Sequence, residues 1–306
     1  MLKIPENQVA GHFARNGKLG PLVDGSGRFY KPLQGGDRGC SEVSFYTSFS
    51  LDGRIPDHIR RFFPTFYGTE LVEASDGSGL KSHLVLEDFT AGRVNPSIMD
   101  VKIGSRTWPP QAPEKYIAKC VEKDHGSSSL LLGFRFSGLQ FHSINETGFW
   151  KPGKKSIQGF SADEVQLVLR NFVSSNTSKE LELKPDCAFA SVVFGGPTGI
   201  LSQLLELKAW FEDQTVYHFF SSSIHIMYEK QLALQGKNPR AEIKLIDFAH
   251  VVEGRGVIDH NYLGGLCSLI KFVSEILKVT NKECQTNVLP KDAQRDHDMS
   301  VNGTYC

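Results

Sequence analysis

Asp100 and Lys102 stand two residues apart in the run Pro96-Ser97-Ile98-Met99-Asp100-Val101-Lys102-Ile103-Gly104. Pro96 fixes its own φ and biases the residue before it toward an extended form. Ile98, Val101 and Ile103 are apolar, so the run predicts a short buried strand. Alternation along that strand puts the acid and the base on one face. Such a pair either holds a phosphate-rich ligand or is a buried ion pair that holds the fold. A second acid, Asp247, follows the apolar run Leu245-Ile246, with His250 three residues on. A carboxylate at a strand end can hold Mg²⁺ against a triphosphate, or it can cap a turn. His250 alone is a packed or surface histidine, or part of a site. Lys115, Lys119 and Lys123 recur every four residues and form one helical stripe, with Lys102 and Arg106 just before them. A solvated face is the plainer reading of that stripe, but so many bases in a short span of a neutral chain favour a polyanionic ligand. Lys31 and Glu42 are either a surface ion pair worth little or a pair that steadies phosphates. The Ser221-Ser222-Ser223 run lines a polar pocket or lies in an edge strand.

These residues need elements to position them. Residues 28–33 predict a strand that carries Lys31, and residues 41–49 a helix near whose start Glu42 lies. Leu84-Val85-Leu86 reads as a short apolar strand, and Glu87-Asp88-Phe89-Thr90 as a polar break after it. Strand with lysine, helix with glutamate, apolar strand and hinge is the order in which a small nucleotide-binding lobe joins a larger one. Beyond the hinge, residues 113–123, 161–171 and 201–212 read as helices, the second opening with a Ser161/Glu164 capping box. Residues 134–136, 218–229 and 242–248 read as strands. Residues 259–279 form a last helix with Leu263, Leu266, Leu269, Ile270 and Val273 on one apolar face. After Lys282 the chain turns polar and a disordered tail is expected. The predicted organisation is a small lobe over residues 1–90, a large lobe over 91–282 and the tail over 283–306.

Composition narrows the function. The 306 residues carry a net charge of +0, 40% hydrophobic and 22% charged content, which suits a globular chain and gives no global field to draw nucleic acid or anionic membrane. No nucleic-acid partner is expected. The 6 cysteines show no zinc-like spacing. No run approaches the ~20 apolar residues of a membrane span, and the first residues lack a signal-peptide core. A reduced intracellular protein is expected, which makes the sequons at Asn145, Asn176 and Asn302 chance matches. The Gly11 to Lys18 stretch is one residue too long for a phosphate loop, and Leu19 stands where its hydroxyl residue would be. No H-R-D and no D-F-G occurs, so a protein-kinase site is excluded.

Four ordered motifs carry a resemblance. Pro96-x-x-x-Asp100-x-Lys102-x-Gly104 resembles the P-x-x-x-D-x-K-x-G signature of inositol polyphosphate kinases, and Ser221-Ser222-Ser223-Ile224 their serine-rich strand. Ile246-Asp247-Phe248-Ala249-His250 is similar to their I-D-F metal motif, and Asp259-x-Asn261-Tyr262-x-x-Gly265-Leu266 to the element that follows it. The motifs cover roughly residues 11–279, and the wording is nearest the plant multikinase branch. The resemblance implies an α+β, two-lobe kinase-like fold with antiparallel sheets and packed helices. It implies ATP and Mg²⁺ as cofactors and inositol tris- and tetrakisphosphates as substrates, phosphorylated at the 3- and 6-hydroxyls toward the pentakisphosphate. Lys31 would contact ATP phosphates, and Glu87, Asp88 and Phe89 would form the adenine-reading hinge. Asp100 would bind the ribose or lie near the reacting groups, and Asp247 would hold the metal. Lys102 would act in catalysis, contacting the transferred phosphoryl or the inositol hydroxyl, and Arg106, Lys115, Lys119, Lys123 and His250 would meet the inositol phosphate. The short linker over residues 139–161 implies an open, permissive site. A nuclear as well as cytoplasmic location rests on the family alone, and a monomer is the working expectation. Two other classes stay open: a scaffold that binds inositol phosphates or phosphoinositides without turnover, and a kinase for another polyol or lipid phosphate. Retention of Asp100, Lys102 and Asp247 speaks against the scaffold.

Overall fold

The computed structural model describes residues 1–11, 13–14, 18–143, 148–176 and 181–286. Asn145 and Asn302, part of the 139–161 linker and residues 287–306 of the expected tail therefore lie outside the described residues.

Two antiparallel sheets face the site. The first comprises β1 (Leu22–Val23), β2 (Arg28–Pro32), β3 (Phe66–Glu73) and β4 (Leu80–Glu87), in the order β1-β2-β4-β3. Helices α1 (Asp37–Leu51) and α2 (Asp57–Arg60) lie between β2 and β3 in the chain. The chain then enters β5 (Ser97–Ile103), α3 (Glu114–His125), α4 (Ser129–Leu132), β6 (Phe134–His142) and β7 (Phe149–Trp150). Helices α5 (Lys154–Gln158), α6 (Ala162–Phe172), α7 (Ala190–Val193) and α8 (Ile200–Asp213) follow. The last elements are β8 (Tyr217–Phe219), β9 (Ser223–Tyr228), α9 (Lys230–Leu234), β10 (Glu242–Ile246), β11 (Val251–Glu253) and α10 (His260–Thr286). The second sheet has the order β10-β9-β5-β6-β7, and β11 pairs with β8 in a small ribbon.

Strand β5 is buried along nearly its whole length because it lies between β9 and β6 with apolar residues on both faces. Its pairing with β6 slips between Asp100 and Val101, so Asp100 lies opposite Gly138 while Val101 lies opposite Phe136. Such a bulge bends the strand that carries it. The capping box opening α6 is present: Ser161 Oγ accepts from Glu164 N at 3.3 Å, and Glu164 Oε2 accepts from Ser161 N at 2.7 Å. One continuous core joins α1 to the second half of the chain. Phe45 and Phe49 of α1 and Phe63 pack with Tyr217, Phe219 and Phe248, the Phe45 and Phe248 ring centroids lying 4.5 Å apart.

The structure departs from the sequence reading at four points. Strand β3 was not foreseen: five of its eight residues are exposed, none is buried, and it is an edge strand. The 218–229 strand divides into β8 and β9, because Ser221 takes a left-handed φ of 58°. The final helix continues past Val279 to Thr286 and so into the start of the stretch read as a tail. Of the serine run only Ser223 belongs to β9, an interior strand and not an edge, and Ser221 and Ser222 precede it.

Candidate active site

Lys31 projects from the middle of β2, and its Nζ donates to Glu42 Oε1 and to Asp247 Oδ1, each at 2.7 Å. Glu42 comes from the buried face of α1 and is 1% exposed. Its Oε1 also accepts from Phe248 N at 3.2 Å, which ties α1 to the end of β10. Asp247 follows β10 in a left-handed conformation, φ 67°, where asparagine, aspartate and glycine are the comfortable residues. Ser222 Oγ donates to the Asp247 carbonyl at 2.9 Å. Enclosure by protein pushes the Asp247 carboxyl up, but the Lys31 and Lys102 ammonium groups prevail and hold it well below the usual carboxylate range. Burial likewise disfavours the charged form of Lys31, and Asp247 and Glu42 outweigh it and raise its pKa. The trio is thus a fixed ammonium between two carboxylates.

Asp100 and Lys102 do share a face of β5, and Lys102 bears electrostatically on Asp247 of this trio. Asp100 is 2% exposed and lies opposite His225 of β9, whose Nε2 is 3.3 Å from Asp100 Oδ2. The His225 ring meets Phe89 edge-on at 5.4 Å. Lys102 Nζ donates to the carbonyl of Ser221 and, at 3.3 Å, to its hydroxyl. Burial pushes the Lys102 pKa down, while Asp247 and Asp100 pull it back up and Arg135 and Lys154 add to the fall. The left-handed turn at Ser221 is what aims that carbonyl at the ammonium. Two non-glycine residues with left-handed backbone, Ser221 and Asp247, therefore both act on the Lys102 ammonium, and such conformations concentrate at functional sites.

A basic surface adjoins Lys102. Burial and the charges of Arg135, Lys154 and Lys102 bring Lys123 of α3 down to about 8. His250 is lowered by burial and by Arg38 and Lys102, and its Nε2 lies 2.9 Å from the Tyr116 hydroxyl. Arg106 is held between rings, its guanidinium carbon 5.0 Å from the Trp108 centroid and 5.1 Å from that of Phe220. The Asp259-x-Asn261-Tyr262 motif explains that placement. Asn261 Oδ1 accepts from Arg106 N at 3.0 Å, and Asn261 Nδ2 donates to Arg106 O at 2.9 Å. Asp259 accepts from Phe219 N at 2.6 Å and Tyr262 N at 2.9 Å. Lys115 and Lys119 stand exposed on the outer face of α3 and, among the described residues, make no ion pair. The expected stripe thus contributes Lys123 to the charge cluster, and the structure does not bring the other two into it.

A cavity of about 450 Å³ is lined by Lys31, Arg38, Asp88, Phe89, Asp100, His225 and Asp247 among others. The carboxylates of Glu87 and Asp88 are committed to the protein. Glu87 Oε1 accepts from Lys244 Nζ at 3.3 Å, and Asp88 Oδ1 accepts from Thr90 Oγ1 at 2.6 Å. Among the described residues no three histidine, cysteine or carboxylate groups converge as a metal cage. A divalent cation at Asp247 would draw its remaining ligands from phosphate and water, which is how Mg²⁺ is commonly held. Sequence reasoning missed Arg38, Tyr116, Lys154 and His225. Arg38 lies four residues before Glu42, on the same helical face, and His225 lies two residues after Ser223 on one strand face. Those spacings were available signals, whereas Tyr116 and Lys154 carry none.

An α+β fold with Lys31 and the strand-end Asp247 lining one cavity, and Glu42 paired to Lys31 behind it, fits the class of kinase-like phosphotransferases. The inositol polyphosphate kinase model matches residues 83–274, and the chain belongs to that family. It is 56% identical over 292 residues to inositol polyphosphate multikinase beta of Arabidopsis thaliana, covering 94% of this chain and 97% of that protein. A solved structure of an inositol phosphate multikinase superposes with a TM-score of 0.67 at 49% identity, covering 77% of this chain and 99% of that one. The multikinase Ipk2 of S. cerevisiae, solved with ADP and Mn²⁺, shares the fold with a TM-score of 0.62 at 19% identity.

Proposed function

We propose that the chain transfers the γ-phosphoryl group of ATP to inositol 1,4,5-trisphosphate and to inositol tetrakisphosphates, at the 3- and 6-hydroxyls, ending at the pentakisphosphate. The observation that carries this reading is the Lys31 ammonium at 2.7 Å from both Glu42 and Asp247, in the cavity that the hinge also lines. Residues 1–90 supply the nucleotide lobe and 91–282 the catalytic lobe. Main-chain groups of Glu87, Asp88 and Phe89 read the base, since their carboxylates are engaged elsewhere, and Asp100, steadied by His225, meets the ribose. Lys31 holds the phosphates. Asp247 holds Mg²⁺, which supplies charge neutralisation at the transferring group. Lys102 lies between that group and the acceptor and offsets charge on both. Arg106, Lys123 and His250, with Lys115 and Lys119 at the rim, receive the inositol phosphate; Arg38 and Lys154 join them. Positioning and charge account for most of what such a transfer requires of the protein.

The free thiols of Cys40, Cys120, Cys187 and Cys267 suit a reducing compartment, cytoplasm, nucleus or both. No helix among the described residues is long and apolar enough to cross a membrane. The test is incubation of the full chain with ATP, Mg²⁺ and inositol 1,4,5-trisphosphate, with positional analysis of the products. Phosphate at the 3- and 6-positions is the expected result. No transfer to any inositol phosphate would overturn the reading and leave a binding scaffold.

A further inference from the structure

The first residues of the chain take part in both sheets at once. Lys3 and Val23 of β1 exchange main-chain hydrogen bonds of 2.9 and 2.8 Å, an isolated antiparallel bridge on the edge of the first sheet. A few residues later Val9 is buried against Ile98 of β5 and Met227 of β9, with Phe89 of the hinge packed on the same cluster. Gln140 Nε2 of β6 donates to Asn7 Oδ1 at 3.1 Å, and Lys151 donates to the Gln8 carbonyl. Asn7, Gln8, Val9, Ala10 and Gly11 all line the cavity that holds Lys31, Phe89 and Asp247.

Strand β6 is shaped to admit this segment. A Cβ on Gly138 would lie 2.0 Å from the Val9 carbonyl oxygen and 2.6 Å from its carbon, both backbone atoms. Gly138 is also the residue that the β6 slip places opposite Asp100. Its φ is not positive, so the backbone there accepts any residue, and close approach of Val9 is what requires glycine.

We propose that residues 3–11 are a strap that ties the two sheets together beside the cavity and sets how tightly the nucleotide is held, with Val9 on Gly138 as its anchor. The inference rests on the reading of this cavity as the nucleotide site. A wall that contacts the nucleotide equally before and during transfer changes its binding and leaves the chemical step alone. Relatives of the same length could differ in nucleotide affinity through this segment without a change in any charged residue of the site.

The test compares the full chain with a deletion of residues 2–11, with Gly138→Val and with Lys3→Pro, which removes the donor to Val23 at the exposed end. Binding of fluorescent mant-ADP is titrated, and the kinetics are measured with ATP and inositol 1,4,5-trisphosphate. The deletion and Gly138→Val are expected to raise the mant-ADP Kd and the KM for ATP about tenfold, and Lys3→Pro about threefold, with kcat and the KM for the inositol phosphate within about twofold of the full chain. Unchanged nucleotide binding in Gly138→Val and Lys3→Pro overturns the strap while leaving the nucleotide site intact, and so does a loss confined to kcat. A full-length chain that binds no mant-ADP overturns the nucleotide reading itself.

Discussion

Asp247 combines a required charge with a left-handed backbone, and the two can be separated. Asparagine tolerates that backbone and lacks the charge. Asp247→Asn is therefore expected to fold as the parent does and to lose about a thousandfold in turnover. Parental turnover in a folded Asp247→Asn protein removes the metal role. Lys123 gives a test by pH. Burial and neighbouring cations lower its pKa to about 8, so the ammonium is present below that value and lost as pH rises through it. A polyanionic acceptor binds the charged form, so its KM should climb between about pH 7 and about pH 9 as the proton leaves. Lys123→Met should raise the KM at the lower pH and flatten the climb; an unchanged profile in the variant places the titration elsewhere. Sequence spacing brought out Asp100, Lys102 and Asp247 because acids and bases on apolar strands are rare. His225 left only its spacing from Ser223 as a signal, and its partner Asp100 emerges once the register sets the two opposite.

At the scale of elements, α10 holds the segment that carries Arg106 in place. Asn261 binds both main-chain groups of Arg106, and Gly265 admits the helix to contact: a Cβ there would lie 2.1 Å from the Gly133 carbonyl oxygen. Asn261→Ala should cost about 1–3 kcal/mol, the scale for leaving buried polar groups unpaired, and raise the KM for the inositol phosphate more than the KM for ATP. A thermal melt and paired kinetics check this, and an equal rise in both constants would mean general loosening. Helices α6, α8 and α10 were legible because their apolar residues recur at helical spacing, and β5 because its apolar run is short and bounded by proline and glycine. Strand β3 was not, since Thr69, Glu70 and Glu73 on an exposed edge give no alternation to read. The break between β8 and β9 escaped as well: one left-handed serine leaves no trace in composition.

At the scale of the whole molecule, one core joins the first and second halves of the chain. The aromatic face of α1 packs on Tyr217, Phe219 and Phe248, residues from the far end of the chain. A fragment of residues 1–90 would expose that face to water. It is expected to show no cooperative melt by circular dichroism, whereas the full chain should unfold in one transition; a cooperatively folded fragment would make the lobes independent. The order of lysine strand, glutamate helix and polar break predicts two lobes, but nothing local in the sequence could announce a core continuous from α1 to Phe248. The basic surface around Lys102, Arg106 and Lys123 has a different consequence. The chain's formal charge is +0, so cations gathered on one side leave an acidic excess on the rest, and the molecule is electrically polar. Near its isoelectric point it should still be retained on phosphocellulose and released by modest salt, and its acceptor should associate more slowly as ionic strength rises. A neutral protein would then behave on a resin, and toward its substrate, as a cation with a preferred side.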